Sequence, residues 1–366
     1  MGRSVAILID SLAGGGAERS VLTLAAALEA KGVDVELFAL KSTCDYDDVA
    51  SVRVHLVEGA WGARGATLTE RATALETKVA DVERRRGSPF DLFLVNLERT
   101  SEVVVRTRLK PAFHVLHSSV GSNVRAAFRH GPFRFLRVRR RFDALAGQHL
   151  IAVSDDLRRE AESDKRRPAA SVRRIYNPVD VDSIRALARE SVAGIPDEPY
   201  VIHVGRRVHP KRHDILFRAF RRVPERYKLV CLSNHTERLQ RDAKRYGIAG
   251  RLITPGFQQN PYAWMARARL LVLSSDYEGL SRVLVEALVC GTPVVTTLCP
   301  GVPEILGQEL NHWSVPARRP DLLGDKITEA LATEIDLSGW RLIDEIGTER
   351  IADQYLALLD AQAATP

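Results

Sequence analysis

Short apolar runs alternate along this chain with stretches in which apolar positions recur every three or four residues, the pattern of strands alternating with helices. The run Val5–Ile9 meets the glycines Gly14-Gly15-Gly16, and Val21, Leu22, Leu24, Ala25 and Leu28 then line one face of a helix that Gly32 ends. Further strands are predicted at Val33–Leu40, Val52–Val57, Leu92–Asn96, Phe113–Leu116 and His149–Val153. Ser154 caps the next helix, with Asp155 and Asp156 in the first turn, where the helix dipole favours acids. Between residues 177 and 198 the pattern lapses into Asn177-Pro178, Gly194, Pro196 and Pro199, which reads as a linker. It then restarts: strand Tyr200–Val204, a turn at Gly205, a helix over His213–Arg222, and strands at Lys228–Ser233, Leu252–Ile253, Leu270–Leu273 and Pro293–Thr297. The expectation is an α/β protein of two successive Rossmann-like units, 1–180 and 181–348. A last helix, Glu349–Ala364 within 349–366, packs back on the first unit.

Length supports two cores, since 366 residues exceed the size at which one core stops growing. With 45% hydrophobic and 27% charged residues the composition is that of an ordinary soluble protein. No run approaches the roughly 18 apolar residues of a membrane span, and Val5–Ile9 is too short for a signal peptide. Cys44, Cys231, Cys290 and Cys299 form no Cys-x-x-Cys pair and read as free thiols in a reducing cytosol. The net charge of +7 is uneven: residues 1–180 hold 29 Lys and Arg against 23 Asp and Glu, and the rest 24 against 23. The basic half points to an anionic partner, nucleic acid or a membrane surface. No recognised nucleic-acid motif is present, so no nucleic-acid partner is expected.

Chemistry concentrates at two places. Each strand–glycine–helix turn offers backbone N–H groups to a phosphate, although glycine also serves tight turns. The second turn adds Arg206 and Lys211, two cations suited to a diphosphate, whose bland reading is solvated surface charge. The segment Asp276–Gly291 carries Glu278 and Glu286, eight positions apart, so that on a helix both would share a face, with Val283, Leu284, Val285 and Leu288 on the apolar side. Spacing alone leaves open an amphipathic helix with two exposed glutamates. Metal ligation is not expected: Asp180-Val181-Asp182 sits at an apparent helix start, where Asp serves as a cap, and Asp45-Tyr46-Asp47 lies in a polar loop.

The segment resembles the Glu-x(7)-Glu motif of retaining glycosyltransferases of family 4, which have the GT-B fold, two Rossmann-like domains facing a cleft. The resemblance runs along nearly the whole chain. Gly15-Gly16-Ala17-Glu18-Arg19 is similar to the family's N-terminal loop, and His117 in Val-Leu-His-Ser-Ser stands where its active-site histidine lies. Ile151–Ser154 and Ile175–Asp180 resemble its interdomain region, Gly205-Arg206 with Lys211 its diphosphate clamp, Pro255-Gly256-Phe257 its base-binding loop and Pro300–Glu304 its last motif. The resemblance implies an acceptor-side first domain and a donor-binding second domain. It implies that Arg206 and Lys211 neutralise the leaving diphosphate and that Glu286 accepts bonds from the ribose hydroxyls. Glu278, with the backbone of Gly279, Leu280 and Ser281, would hold the donor sugar, Gly15, Gly16, Gly256 and Phe257 would complete the donor site, and His117 would orient the transferred sugar. It implies a UDP-sugar donor, with a GDP-sugar second, a saccharide or lipid-linked saccharide acceptor in cell-surface glycan assembly, and no cofactor or metal. One departure stands out: Ser233-Asn234-His235 replaces the family's Gly-x-Gly after the strand at 228–232, which puts the donor base in question. His114, His203 and His209 read as structural. The rivals are a GT-B sugar-nucleotide epimerase or a phosphorylase-like enzyme and, from another class, a catalytically inactive sugar-nucleotide-binding subunit.

Gly121–Phe142 holds seven arginines, Arg125, Arg129, Arg134, Arg137, Arg139, Arg140 and Arg141, and no acid. Gly131-Pro132 starts a helix whose Phe135, Val138, Phe142 and Leu145 fall on one face and Arg134, Arg137, Arg140 and Arg141 on the other. With the apolar face in the core, the arginines alone are expected to dock the first domain on an anionic membrane face or to clamp an acceptor. The enzyme would then be cytoplasmic and peripheral.

Overall fold

The computed structural model describes residues 3–13, 15–43, 52–57, 65–128 and 131–363. Gly14, Cys44, Asp45-Tyr46-Asp47 and Arg129 lie outside these. The chain forms two compact units, one of Met1–Val179 with Glu345–Pro366 and one of Asp180–Asp344.

The first unit runs β1 (Ser4–Ile9), α1 (Gly16–Ala30), β2 (Asp34–Ala39), β3 (Arg53–Leu56), α2 (Leu68–Arg86), β4 (Leu92–Asn96), α3 (Glu98–Val104), β5 (Ala112–Leu116), α4 (Val120–Phe128), α5 (Pro132–Asp143), β6 (His149–Ala152), α6 (Asp155–Ser163) and β7 (Ser171–Arg174). Its seven strands are parallel and ordered β3-β2-β1-β4-β5-β6-β7. Strands of such a sheet are covered on both faces, which is why β1, β2 and β4 are near-continuous apolar runs; Ile7, Leu8, Leu37 and Leu94 are fully buried. Ser154 caps α6 as expected, its Oγ accepting from Leu157 N.

The second unit begins with α7 (Val181–Ala188), then β8 (Tyr200–Val204), α8 (His213–Phe220), β9 (Lys228–Leu232), α9 (Thr236–Tyr246), β10 (Leu252–Gly256), α10 (Tyr262–Arg267), β11 (Leu270–Leu273), α11 (Arg282–Val289), β12 (Val294–Leu298), α12 (Val302–Leu310), β13 (Ser314–Pro316) and α13 (Pro320–Ala332). Its six parallel strands are ordered β10-β9-β8-β11-β12-β13. Renumbered within the unit this is 3-2-1-4-5-6, the doubly wound Rossmann order, and the first sheet repeats it with one strand added. The stretch expected to be a linker contains α7, because Asp180 accepts from Ser183 N as its cap and Ile184 and Ala188 are buried. The short α14 (Ile343–Ile346) then leads the chain back into the first unit, where Val179 N donates to Ile346 O at 2.8 Å. There α15 (Thr348–Ala363) lies against α1, with Lys31 on Asp353 at 2.8 Å and Arg3 on Asp360 at 2.6 Å.

Candidate active site

In doubly wound sheets the strand order reverses between the first and fourth strands, and ligands bind beyond the carboxyl ends of those strands. In the second unit these are β8 and β11, and the loops that leave them carry the candidate residues. After β8 the chain turns at Gly205 and passes through a 3-10 turn at His209–Lys211 before α8. Lys211 lies back over Gly205: a Cβ there would come within 3.3 Å of Lys211 Cε, so glycine leaves room for the lysine stem. Lys211 Nζ donates to Glu278 Oε1 at 2.8 Å, and Ser275 Oγ donates to the same oxygen at 2.6 Å. Ser274 Oγ holds the carbonyl of Lys211 at 2.7 Å, so consecutive serines after β11 fix both halves of the pair. Glu278 and Lys211 are 16% and 18% exposed, which makes their contact stronger than a solvated surface pair.

Glu286 sits on α11 with 8% of its side chain exposed. Arg282 Nε, one turn earlier, donates to Glu286 Oε1 at 3.1 Å, and Tyr262 OH reaches the same oxygen at 3.4 Å. The helix is buried on almost every side, Leu284, Val285, Ala287 and Leu288 included, so Glu286 does not lie on a solvated face. Glu278 lies just ahead of α11, which starts at Arg282, so the two glutamates stand in a loop and on a helix and do not share one helix face. The loop is held from behind by Gly301, at φ +81, where a Cβ would collide with the carbonyl oxygen of Gly279. Ser281 occupies the cap position of α11, yet its buried Oγ has no hydrogen-bond partner among the described residues.

A charge network missed by the sequence reading ties these loops together. Asp276, 5% exposed, takes Arg212 Nη1 at 3.1 and 3.2 Å, and Arg318 at 3.0 Å through Nε and 2.8 Å through Nη2. Arg212 also holds Asp214, Nη2 to Oδ2 at 2.7 Å. Burial pulls the Asp276 carboxyl towards its neutral form, but the bond from Arg318 and the charge of Arg212 outweigh it and hold its pKa below the usual value. Both arginines have left-handed backbones, φ 47 for Arg212 and φ 63 for Arg318, a cost that non-glycine residues bear only where their surroundings enforce it.

In the first unit the same switch point lies beyond β1 and β4. Asn96 ends β4 and is buried; its Nδ2 donates to Leu94 O at 3.3 Å, which leaves Oδ1 to accept from His117 Nε2 at 2.9 Å. His117 follows β5 directly. Gly15 caps α1, and a Cβ there would run into the Glu18 carboxylate, so this helix start is shared with an acid of the chain itself.

The model for glycosyl transferases group 1 matches residues 186–341, and that for glycosyltransferase family 4 matches residues 14–183. The chain belongs to glycosyltransferase family 4. An N-acetylgalactosaminyltransferase of Campylobacter jejuni that acts on N-acetylgalactosamine-N,N'-diacetylbacillosaminyl-diphospho-undecaprenol is 26% identical over 311 residues, 81% of this chain and 80% of that one. Sucrose-phosphate synthase from Thermosynechococcus elongatus superposes over the full length of both chains with a TM-score of 0.78 at 20% identity. HepE of Anabaena, in complex with UDP and glucose, gives 0.75 at 19% identity over 98% of this chain and all of that one. These likenesses establish the GT-B fold.

Within this family 4 glycosyltransferase, then, Lys211, Glu278, Gly279 and Ser281 come together around β8 and β11, with Glu286 on the helix that follows. Arg206 is exposed, and its guanidinium has no partner among the described residues. Gly256 ends β10 at φ +91, and Phe257 beside it is 53% exposed. In the atypical loop Ser233 is buried and its Oγ has no partner among the described residues, and His235 takes the left-handed conformation as the cap of α9. His114 and His203 are core residues, bonded to Ser101 Oγ and Val272 O at 2.9 Å each, and burial lowers both to a pKa of about 4. The arginine face of α5 needs one correction. Arg141 is only 12% exposed and donates to Glu102 at 3.2 Å, tying α5 to α3, so it is no part of a free basic surface. Arg125, Arg134, Arg137 and Arg140 are exposed.

Proposed function

We propose that this glycosyltransferase moves a sugar from a UDP-sugar to a saccharide or lipid-linked saccharide in glycan assembly, with retention of configuration and without a divalent ion. The observation that carries the reading is the Lys211–Glu278 pair, 2.8 Å apart at the switch point of the second sheet. Lys211, with the exposed Arg206, supplies the positive charge that a departing diphosphate needs, fixed before reaction rather than recruited during it. The serine-held Glu278 presents its second carboxylate oxygen to the hydroxyls of the donor sugar. Ser281 Oγ, orphaned at the start of α11, is a donor for a phosphate or sugar oxygen. Among the described residues Arg282 Nε and Tyr262 OH both reach Oε1 of Glu286, and Oε2 is the acceptor for a ribose hydroxyl. Phe257 offers an exposed ring to the base.

Support for UDP comes from the HepE complex with UDP and glucose. Support for a lipid-linked acceptor comes from the Campylobacter enzyme, whose acceptor is a saccharide carried on diphospho-undecaprenol. Retention follows from a front-face displacement in which the departing phosphate receives the acceptor proton, so no side chain becomes a covalent nucleophile. His117, oriented by Asn96, positions the transferred sugar. Asp180 accepts from Ser183 N as the cap of α7, a role that accounts for an acid at this position without a metal. The test is a screen of UDP- and GDP-sugars with the purified chain and the anomeric configuration of the product by NMR. Transfer that EDTA leaves intact, with the donor's configuration kept, is expected. An inverted product, or activity abolished by EDTA and restored by Mg²⁺ or Mn²⁺, would refute the corresponding half.

A further inference from the structure

Helix α5 is apolar on two sides, and only one of them is covered. Phe142 and Leu145 are buried at 3% exposure, and Phe135 makes an edge-to-face contact with Phe128 of α4 at 5.6 Å between centroids. Phe133, Leu136, Arg137 and Arg140, spaced i, i+3, i+4 and i+7, share the opposite face. Phe133 is 89% exposed and Leu136 46%, and Phe128 adds 69%. Among the described residues seven large hydrophobic side chains are exposed, and three of them fall between residues 128 and 136. Such clustering marks an interaction surface, whereas scattered single residues need no explanation.

The charges on the two sides divide in the same way. Arg139 and Arg141 are committed to the fold, on Asp143 at 3.9 Å and on Glu102 at 3.2 Å. Arg125, Arg134, Arg137 and Arg140 have no carboxylate partner among the described residues and are exposed around the phenylalanines. We propose that the α4–α5 face seats the first unit on an anionic lipid bilayer. Phe133 and Leu136 enter the boundary between headgroups and acyl chains, and the four arginines engage lipid phosphates. The proposal builds on the lipid-linked acceptor and goes beyond a purely electrostatic contact, because the apolar residues lie among the cations and outside the core. A soluble anionic acceptor would use the arginines and gain nothing from an exposed phenyl ring. A second copy of the chain would bring four arginines that lack a carboxylate among the described residues against four more. A bilayer interface satisfies both features at once, as interfacial amphipathic helices do.

Flotation of the whole protein with phosphatidylcholine vesicles, with and without phosphatidylglycerol, tests this. Wild type is expected to float with the anionic vesicles and to be released by salt. Arg134/Arg137/Arg140→Gln should abolish the preference for anionic lipid. Phe133→Ser with Leu136→Ser should weaken binding to the same vesicles at least tenfold, with transfer to a soluble saccharide acceptor unchanged. Both residues are exposed, so the double variant should fold. Phe133→Trp should be quenched by lipids brominated on the acyl chain. Protein that stays in the aqueous fraction, or anionic-vesicle binding that ignores the Phe133/Leu136 change, overturns the proposal. So does a dimer in sedimentation that this change dissolves. If docking fails while transfer persists, only this inference falls; if the protein floats but transfers no sugar, the functional reading falls instead.

Discussion

Substituting Asp276 by Asn should damage both the stability of the second unit and the rate of transfer. The carboxylate is 5% exposed and takes bonds from two arginines on two other loops. Arg318 is 46% exposed, so its share is that of a surface pair, ~0–1 kcal/mol. Arg212 is 16% exposed, and breaking a buried pair costs about 3–5 kcal/mol. Arg212 keeps Asp214, however, which places the whole loss near the lower end, ~3 kcal/mol. For a unit of this size each kcal/mol moves Tm by about 2–4 °C, so a fall of about 6–12 °C is expected. The left-handed backbones of Arg212 and Arg318 would lose the contact that enforces them, and the loops carrying Lys211 and Glu278 would relax. A shift of about 1 Å in a reacting group can cost on the order of a hundredfold in rate, so kcat should fall more than KM rises. Differential scanning fluorimetry and steady-state kinetics on Asp276→Asn, with Arg318→Ala as the mild comparison, read both effects. An Asp276→Asn protein with wild-type Tm and wild-type kcat would refute the reasoning.

Gly301→Ala should abolish transfer and lower Tm, because the new Cβ meets the Gly279 carbonyl and the φ of +81 becomes strained; wild-type kinetics in this variant would contradict the loop packing. Stability should also fall as pH drops below neutrality. Burial lowers His114 and His203 from 6.5 to about 4 and holds His213 well below its usual value, so the unfolded chain binds protons first. The stability that His114 and His203 contribute is complete above 6.5 and declines towards pH 4, each costing ~1.4 kcal/mol per pH unit in that window, and His213 acts in the same direction. Thermal melts at pH 7, 6 and 5 check the sign, and a Tm that does not fall over that range would contradict it.

The parallel strands were legible because burial on both faces leaves near-continuous apolar runs, as in β1, β4 and β11. The edge strands β7, Ser-Val-Arg-Arg, and β13, Ser-Val-Pro, escaped notice since short, partly solvated edges carry no such run. The start of α7 was legible in Asp180, which reads as a helix cap, but the prolines and glycines after it made the rest of the stretch look like a linker. Lys211, Glu278 and Glu286 could be named from motif order. Asp276, Arg212 and Arg318 could not, because they meet across 64 and 42 residues of chain and each alone looks like a surface charge. Arg141 was misplaced for the same reason, its partner Glu102 lying 39 residues earlier. Phe133 and Leu136 were within reach of the helical periodicity, which places them among the arginines, but only their exposure shows that nothing in the first unit covers them.

The central claim is that the second unit binds a nucleotide diphosphate through Lys211 and Glu286, and calorimetric titration of UDP tests it most directly. Wild type should bind saturably, and Lys211→Ala and Glu286→Ala should each weaken binding at least tenfold, ~1.4 kcal/mol. Both variants should be checked by circular dichroism, since Glu286 also neutralises the buried Arg282. Folded Lys211→Ala and Glu286→Ala proteins that bind UDP with wild-type affinity would contradict the account.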